Sequence, residues 1–332
     1  MGPDPAIAQV RYAVRTLLMR ERSGPAGRLL VACSGGADSL ALAAATAFTA
    51  DRLGLRAGLI TIDHGLQPGS AEQAARVAAL GYELGFDPVE VIRVDVCTAG
   101  GPEAAARDAR YAALDAAAEA LDADVLLGHT LDDQAETVLL GLGRGSGPRS
   151  IAGMKPVSGH YLRPLLAIRR ATTLAACRAL GLTPWADPHN TDPAFQRVRL
   201  RREVLPLLED VLQGGVTEAL ARTAELVRED LDALDELAGR IAAGEPPERL
   251  PVSALTGQPR AVRTRVLRAW AASAGAHALS AVHLAALDAL IVDWHGQGPV
   301  DLPGGIRAAR ASGKLVPTPQ RPDQGSSEDE RD

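Results

Sequence analysis

Apolar positions along this chain follow two rhythms. Short continuous runs, LLVAC (29–33), AGLITID (57–63), PVEVIRVDV (88–96) and DVLLG (124–128), have the length and branching of buried strands. Between them, apolar residues recur every three or four positions over 5–22, 39–53, 70–85 and 103–121, the period of a helix. HTLDDQAETVLLGLGRG then begins as a helix and ends in glycines. Strands apolar on both faces and alternating with helices predict a doubly wound parallel α/β sheet. After 160 the rhythm changes: a helix is predicted over 169–180, WADPHNTDPAFQRVRLRREVLP reads as a loop, and a long helix covers 216–242. GEPPE (244–248) reads as a hinge before helices at 259–274 and 280–294 and short strands around GPVDLPGGIRAARASGKLVP. The domain reading is an α/β domain over 1–205, a helical linker over 206–248, a small α+β domain over 249–317 and a disordered acidic tail over 318–332.

The breaks between strands and helices carry the candidate chemistry. Residues 34–39, SGGADS, join the first strand to a helix. Gly35 and Gly36 let backbone N–H groups converge, Ser34 and Ser39 add hydroxyls, and the helix dipole favours an anion. Asp38 would repel phosphate oxygens unless a Mg2+ ion bridged them. The loop has neither the lysine of G-x-x-x-x-G-K-[ST] nor the spacing of G-x-G-x-x-G, and the competing reading is an ordinary Gly-Gly turn. Ligands of such sheets collect at the carboxyl ends of strands. Asp38, Asp63, His64, His129, Asp132 and Asp133 all follow predicted strand ends.

Three further segments have two readings each. In GHTLDDQAET (128–137), Asp133 and Glu136 share one helix face and suit a cation or an amine, while Thr130 with Asp133 also fits a capping box. EAAARDARY (103–111) aligns Glu103, Arg107 and Arg110 or Tyr111, which is equally the spacing of a helix-stabilising pair worth about 0.2–0.5 kcal/mol. LGRGSG (142–147), with Arg144, fits either a phosphate contact or a glycine-closed helix end.

Composition narrows the class. At 332 residues, 46% hydrophobic and 23% charged, the chain reads as a globular protein of more than one domain, with no run long enough for a membrane span. The first residues lack a signal-peptide layout, and Cys33, Cys97 and Cys177 are scattered with no C-x-x-C, which points to a reducing cytoplasm. The net charge of −6 argues against a nucleic-acid partner until its distribution is considered. Only Lys155 and Lys314 are lysines, so almost all cations are guanidinium groups suited to phosphate. Arg197, Arg199, Arg201 and Arg202 cluster, as do Arg260, Arg263, Arg265 and Arg268. Whether the chain is a monomer or a homodimer is not written in any motif.

SGGxDS resembles the pyrophosphate loop of the N-type ATP pyrophosphatases. The ordered set CSGGADS, IDHGL, EAAARDARY, GHTLDDQAETVLLGLGRGSG, RPLL (163–166) and DPHNTDPAFQRVRLRREVLP resembles the tRNA(Ile)-lysidine synthase family over 29–206. The second unit resembles that family's small substrate-binding domain, and longer members carry a further C-terminal domain with no counterpart here. Gln67, His189 and Val198 depart from the family pattern.

The resemblance implies a PP-loop ATPase that adenylates carbon 2 of the wobble cytidine in the CAU anticodon of tRNA(Ile), then joins free L-lysine to it. It implies ATP at Ser34, Gly35, Gly36, Ala37, Asp38, Ser39, Asp63, His64 and His129, with Mg2+ at Asp38. It further implies catalysis by Asp38, Asp133, Arg107 and Arg144, lysine at Asp133 and Glu136, and tRNA at Arg197, Arg199, Arg201 and Arg202. The alternatives are a tRNA cytidine thiolase, a small-molecule amidating synthetase such as the NAD or GMP type, and a catalytically silent nucleotide-binding module.

Overall fold

The computed structural model of the chain describes residues 2–20, 27–65, 69–94, 102–145, 147–188, 192–243 and 248–319. The side chain of Glu103, the departures Gln67 and His189, Cys97, most of GEPPE and nearly all of the acidic tail lie outside the described residues. Two compact units divide between Val227 and Arg228.

The first unit alternates as the apolar rhythm requires: α1 (Pro5–Arg20), β1 (Arg28–Ala32), α2 (Ala37–Leu53), β2 (Arg56–Asp63), α3 (Ser70–Glu83), β3 (Val89–Arg93), α4 (Pro102–Leu121), β4 (Asp124–Leu127) and α5 (Leu131–Arg144). The strands are ordered β3-β2-β1-β4 and run parallel. Successive strand residues serve opposite cores: Leu29 and Val31 pack with α1 and α2, whereas Leu30 packs with Leu114 and Ala117 of α4. The chain reverses direction across the sheet between β1 and β4, so their carboxyl ends frame a crevice.

Beyond α5 the structure departs from the sequence reading. After α6 (Pro148–Ile151), a hairpin of β5 (Val157–Ser158) and β6 (Tyr161–Leu162) extends the sheet to six strands, β6 lying parallel to β4. Two-residue strands carry no periodicity, which is why the pattern is silent there. Helix α7 (Arg170–Ala179) follows. The arginine segment, read as a loop, is helical from Gln196: α8 (Gln196–Arg199), a π-helical turn (Leu200–Val204) and α9 (Leu205–Val211). Pro206 cannot donate the regular bond to the carbonyl four residues earlier, and the helix widens just before it, Leu205 N–H bonding to the Leu200 carbonyl.

Helix α10 (Val216–Ala242) contributes to both units, as does the segment read as a linker. In the second unit, Leu234, Ala238 and Ile241 pack with α12 (Arg260–Ser273) and α13 (Ala281–Val292), preceded by α11 (Val252–Leu255). An antiparallel sheet completes it, ordered β7 (Leu250–Pro251), β10 (Lys314–Pro319), β9 (Ile306–Ala311) and β8 (Val300–Leu302). Arg263 forms a two-point ion pair with the buried Asp288 at 2.7 and 2.9 Å, so part of the second arginine cluster serves the fold.

Two glycines of α5 separate packing from propensity. A Cβ on Gly141 would fall 1.9 Å from the Ser150 carbonyl oxygen, whereas one on Gly143 meets nothing within 4 Å. Gly141→Ala is expected to cost about 1–3 kcal/mol through overpacking. Gly143→Ala is expected to be neutral or to add up to about 1 kcal/mol. Denaturant midpoints of the two variants check the contrast.

Candidate active site

The loop after β1 is shaped by two close approaches. Gly35 sits at φ +83°, a left-handed backbone that favours glycine, and a Cβ there would also crowd Gln73 and Val77 Cγ2 at 3.0 Å. A Cβ on Gly128, at the end of β4, would meet the Asp38 backbone at 3.1 Å, which fixes how tightly β4 delivers its chain against α2. Gly36 caps α2 without any side-chain hydrogen bond, leaving the first turn of a 17-residue helix open to an anion. The Ser39 hydroxyl accepts from Ser34 N–H at 3.2 Å, donates to the Gly36 carbonyl at 3.0 Å and lies 3.3 Å from the Ser34 hydroxyl.

Beside this loop lies a cluster that no single segment foretells. Arg170, the first residue of α7, sends its guanidinium to three acids from two other helices. Nε donates to Asp38 at 3.2 Å, Nη2 to Asp133 at 2.6 Å, and Nη1 reaches Glu136 at 3.5 Å. Thr173, one turn on, donates to the other oxygen of Asp38. Glu136 has no exposed surface and is gripped by Arg201 at 2.7 and 3.1 Å. Asp132 accepts the Arg170 backbone N–H at 2.8 Å and lies 3.5 Å from Arg169. The capping box read from Thr130 and Asp133 is present: one Asp133 oxygen caps α5 through Thr130 N–H and hydroxyl at 2.8 and 2.9 Å, while the other faces Arg170.

The charges respond unevenly. Burial pushes the Asp38 carboxyl above the ordinary carboxylate range, against the pull of Arg170 and Thr173. Burial acts on Asp133 in the same sense, but there Arg170 and the Thr130 N–H prevail and hold it low. Burial disfavours the Arg170 cation too, yet three acids outweigh it and its pKa rises.

Near the same loop, two histidines and Arg110 present buried nitrogens. Burial, reinforced by Arg110, Arg163 and Arg107, drives His129 down to about 3, so its ring is neutral. Burial and Arg110 likewise lower His64. His64 Nδ1, His129 Nδ1 and Arg110 Nε are buried with no hydrogen-bond partner, an arrangement that calls for a polar ligand or water. Asp63 instead turns the chain, accepting Gly65 N–H at 2.9 Å, and that bond and Ser70 hold it low.

The remaining sequence candidates lie outside the cluster that Arg170 holds. Arg107 is exposed over the Tyr111 ring at 4.9 Å, and Arg144 ends α5, which Gly145 closes in the left-handed conformation. Of the arginine cluster, Arg201 turns inward to Glu136, Arg199 pairs with Glu203 along its own helix, Arg197 is half-buried within the electrostatic reach of Arg110, and Arg202 is exposed. Arg170 and Thr173 escaped the sequence reading. The signal available was a pair of arginines, Arg169 and Arg170, at a helix N-terminus, where the dipole disfavours cations unless acids wait nearby.

Comparison with known proteins follows the same division. Residues 9–208 match the family model described as a PP-loop domain, and 250–316 match a TilS substrate binding domain. The chain is 59% identical to the tRNA(Ile)-lysidine synthase of Thermobifida fusca, over 95% of this chain and 98% of that one. It is 53% identical to the synthase of Streptomyces coelicolor, over 95% and 99%. Among solved structures, a U34-tRNA thiolase from Methanococcus maripaludis shares the fold at 19% identity, with a TM-score of 0.56 over 67% of this chain and 80% of that one.

Arg201 and Arg199 should part company in stability. Arg201→Met leaves the fully buried Glu136 with only its longer contact to Arg170, and a loss of roughly 3–5 kcal/mol is expected. Arg199→Met removes an exposed helix pair and should leave the midpoint unmoved. Urea unfolding of both variants is the measurement.

Proposed function

Because this chain belongs to the tRNA(Ile)-lysidine synthase family, we propose that its crevice divides between the two halves of that family's reaction. The chain is an ATP-using ligase that forms a carbon–nitrogen bond. The carbonyl oxygen at carbon 2 of the wobble cytidine is a poor leaving group. ATP adenylates it with departure of pyrophosphate, and the ε-amine of free lysine then displaces AMP. The observation that carries the division is Arg170, whose one guanidinium spans the phosphate-loop acid Asp38 and the amine-binding candidates Asp133 and Glu136.

In this reading the open first turn of α2, with Ser34, Gly35, Gly36, Ala37 and Ser39, holds the departing pyrophosphate. Mg2+ belongs at Asp38, where it would offset phosphate charge. Among the described residues no three acids, histidines or cysteines converge on a metal cage, and Mg2+ held by a single carboxylate and substrate phosphates needs none. Neutral His64 and His129 and the unpartnered Arg110 offer hydrogen bonds to nucleotide and cytidine, with Arg107 and Arg144 balancing charge on the adenylated intermediate. Only about one free lysine amine in a thousand is neutral at pH 7. Asp133, held low by Arg170, suits the ammonium, which assigns proton removal to Glu136. Arg197, Arg199 and Arg202 are proposed to meet the tRNA backbone. A sulfur-transferring alternative finds no support in Cys33 and Cys177, both buried in the core.

Incubation with ATP, lysine and tRNA(Ile), followed by nucleoside mass analysis, tests the whole reading through the appearance of lysidine. Its halves should fail separately. Asp38→Asn is expected to lower pyrophosphate release by orders of magnitude, whereas Glu136→Gln releases pyrophosphate once and transfers lysine poorly, rising with pH if proton removal is lost. Equal loss of pyrophosphate release in both would assign the whole acid cluster to ATP.

For tRNA binding, the slope of log affinity against log salt should flatten in an Arg197→Ala, Arg202→Ala variant. Each lost phosphate contact is worth about 0.7–0.9 of a unit. A retained slope in the folded variant would assign these arginines to the protein itself.

A further inference from the structure

Resting on that reading, we propose that Arg170 is an exchangeable counter-ion that closes the lysine site until nucleotide draws its guanidinium away. At Asp133 and Glu136 every carboxylate oxygen already accepts a hydrogen bond, so an incoming ammonium competes with a guanidinium there. One oxygen of Asp133 is committed to the α5 cap and the other is held by Arg170 at 2.6 Å. Both oxygens of Glu136 are taken by Arg201. Displacing one guanidinium therefore gives the ammonium a charge-assisted bond in its place.

The two candidates differ in what else they touch. Arg201 grips Glu136 with two donors, and its second acid is Asp133 at 3.6 Å rather than the phosphate-loop Asp38. Arg170 holds Glu136 only at 3.5 Å, and its Nε lies on Asp38, inside the first turn of α2. Phosphates arriving at that turn bring several negative charges to the guanidinium, and a planar guanidinium binds phosphate oxygens in the same two-point manner as carboxylates. A metal ion taking Asp38 would release Nε at the same moment. Turning toward the phosphates then frees Asp133 for the ammonium, while the capping oxygen and Arg201 keep the cluster from collapsing.

Charge supports the exchange. Asp38, Asp132, Asp133, Glu136 and Glu218 face Arg169, Arg170 and Arg201, an excess of negative charge that a lysine ammonium would reduce. Nucleotide and lysine are thereby predicted to bind with positive coupling through this chain's own side chain.

The test is calorimetric titration of L-lysine into the full-length protein, alone and saturated with the α,β-methylene analogue of ATP and Mg2+. The wild type should bind lysine roughly tenfold or more tightly with nucleotide present, an ordinary size for coupling between sites, and lysine should tighten the analogue by the same factor. Arg170→Met should bind lysine without nucleotide about as well as the nucleotide-bound wild type, with the coupling reduced to about one. Arg170→Lys, which keeps a charge near Asp38 and guards against misfolding of the first variant, should show an intermediate factor. Equal lysine affinity with and without nucleotide in the wild type, no lysine binding in either state, or undiminished coupling in folded Arg170 variants would overturn the proposal. If the wild type makes lysidine yet binds lysine indifferently to nucleotide, the counter-ion role alone has failed. If it makes none, the assigned reaction has failed.

Discussion

Three carboxylates brought together in a crevice repel one another and resist desolvation, and that constraint governs the catalytic unit. Asp38 comes from α2, Asp133 and Glu136 from α5, and neither helix carries the cation that reconciles them. α7 supplies it as Arg170, and the arginine segment adds Arg201. A buried acid without its partner costs several kcal/mol. The placement of α7 and of the widened helical turn is therefore tied to the acids as firmly as to the apolar core they also join.

The same constraint gives the crevice its polarity. Carboxylates gather under guanidinium control around Arg170 and Arg201, and histidines with lowered pKa carry buried, unpartnered nitrogens near Arg110. The uncapped first turn of α2 presents backbone N–H groups. An ATP-dependent ligase needs this separation. Under the proposed division a pyrophosphate leaving group favours positive potential while a lysine nucleophile would arrive as a cation, so a uniformly charged site would favour one and reject the other.

A fold neighbour of different activity, a U34-tRNA thiolase, shows how little the α/β scaffold alone decides. What distinguishes this chain within that scaffold is the chemistry at the strand ends. Its two described cysteines are buried among apolar residues rather than presented to the crevice.

Much of this was legible in the residues themselves. Strands buried on both faces and helices of 3.6 period are local patterns, so the parallel sheet, the glycine loop of 34–39 and the capping box at Thr130 could be read directly. Gly35 marks its own place, because its left-handed backbone favours glycine and a Cβ there would also crowd Gln73 and Val77. Tertiary structure decided the rest. The two-residue strands β5 and β6 have no period to detect. The arginine segment is punctuated by proline and polar residues and reads as a loop, but a π-helical turn absorbs Pro206 and aims Arg201 inward. Arg170 and Asp38 lie 132 positions apart. No pattern within one helix reports a contact of that separation, since it depends on how α2, α5 and α7 pack. The candidate acids are thus local to the sequence, whereas the cation that draws them together is a property of the folded chain.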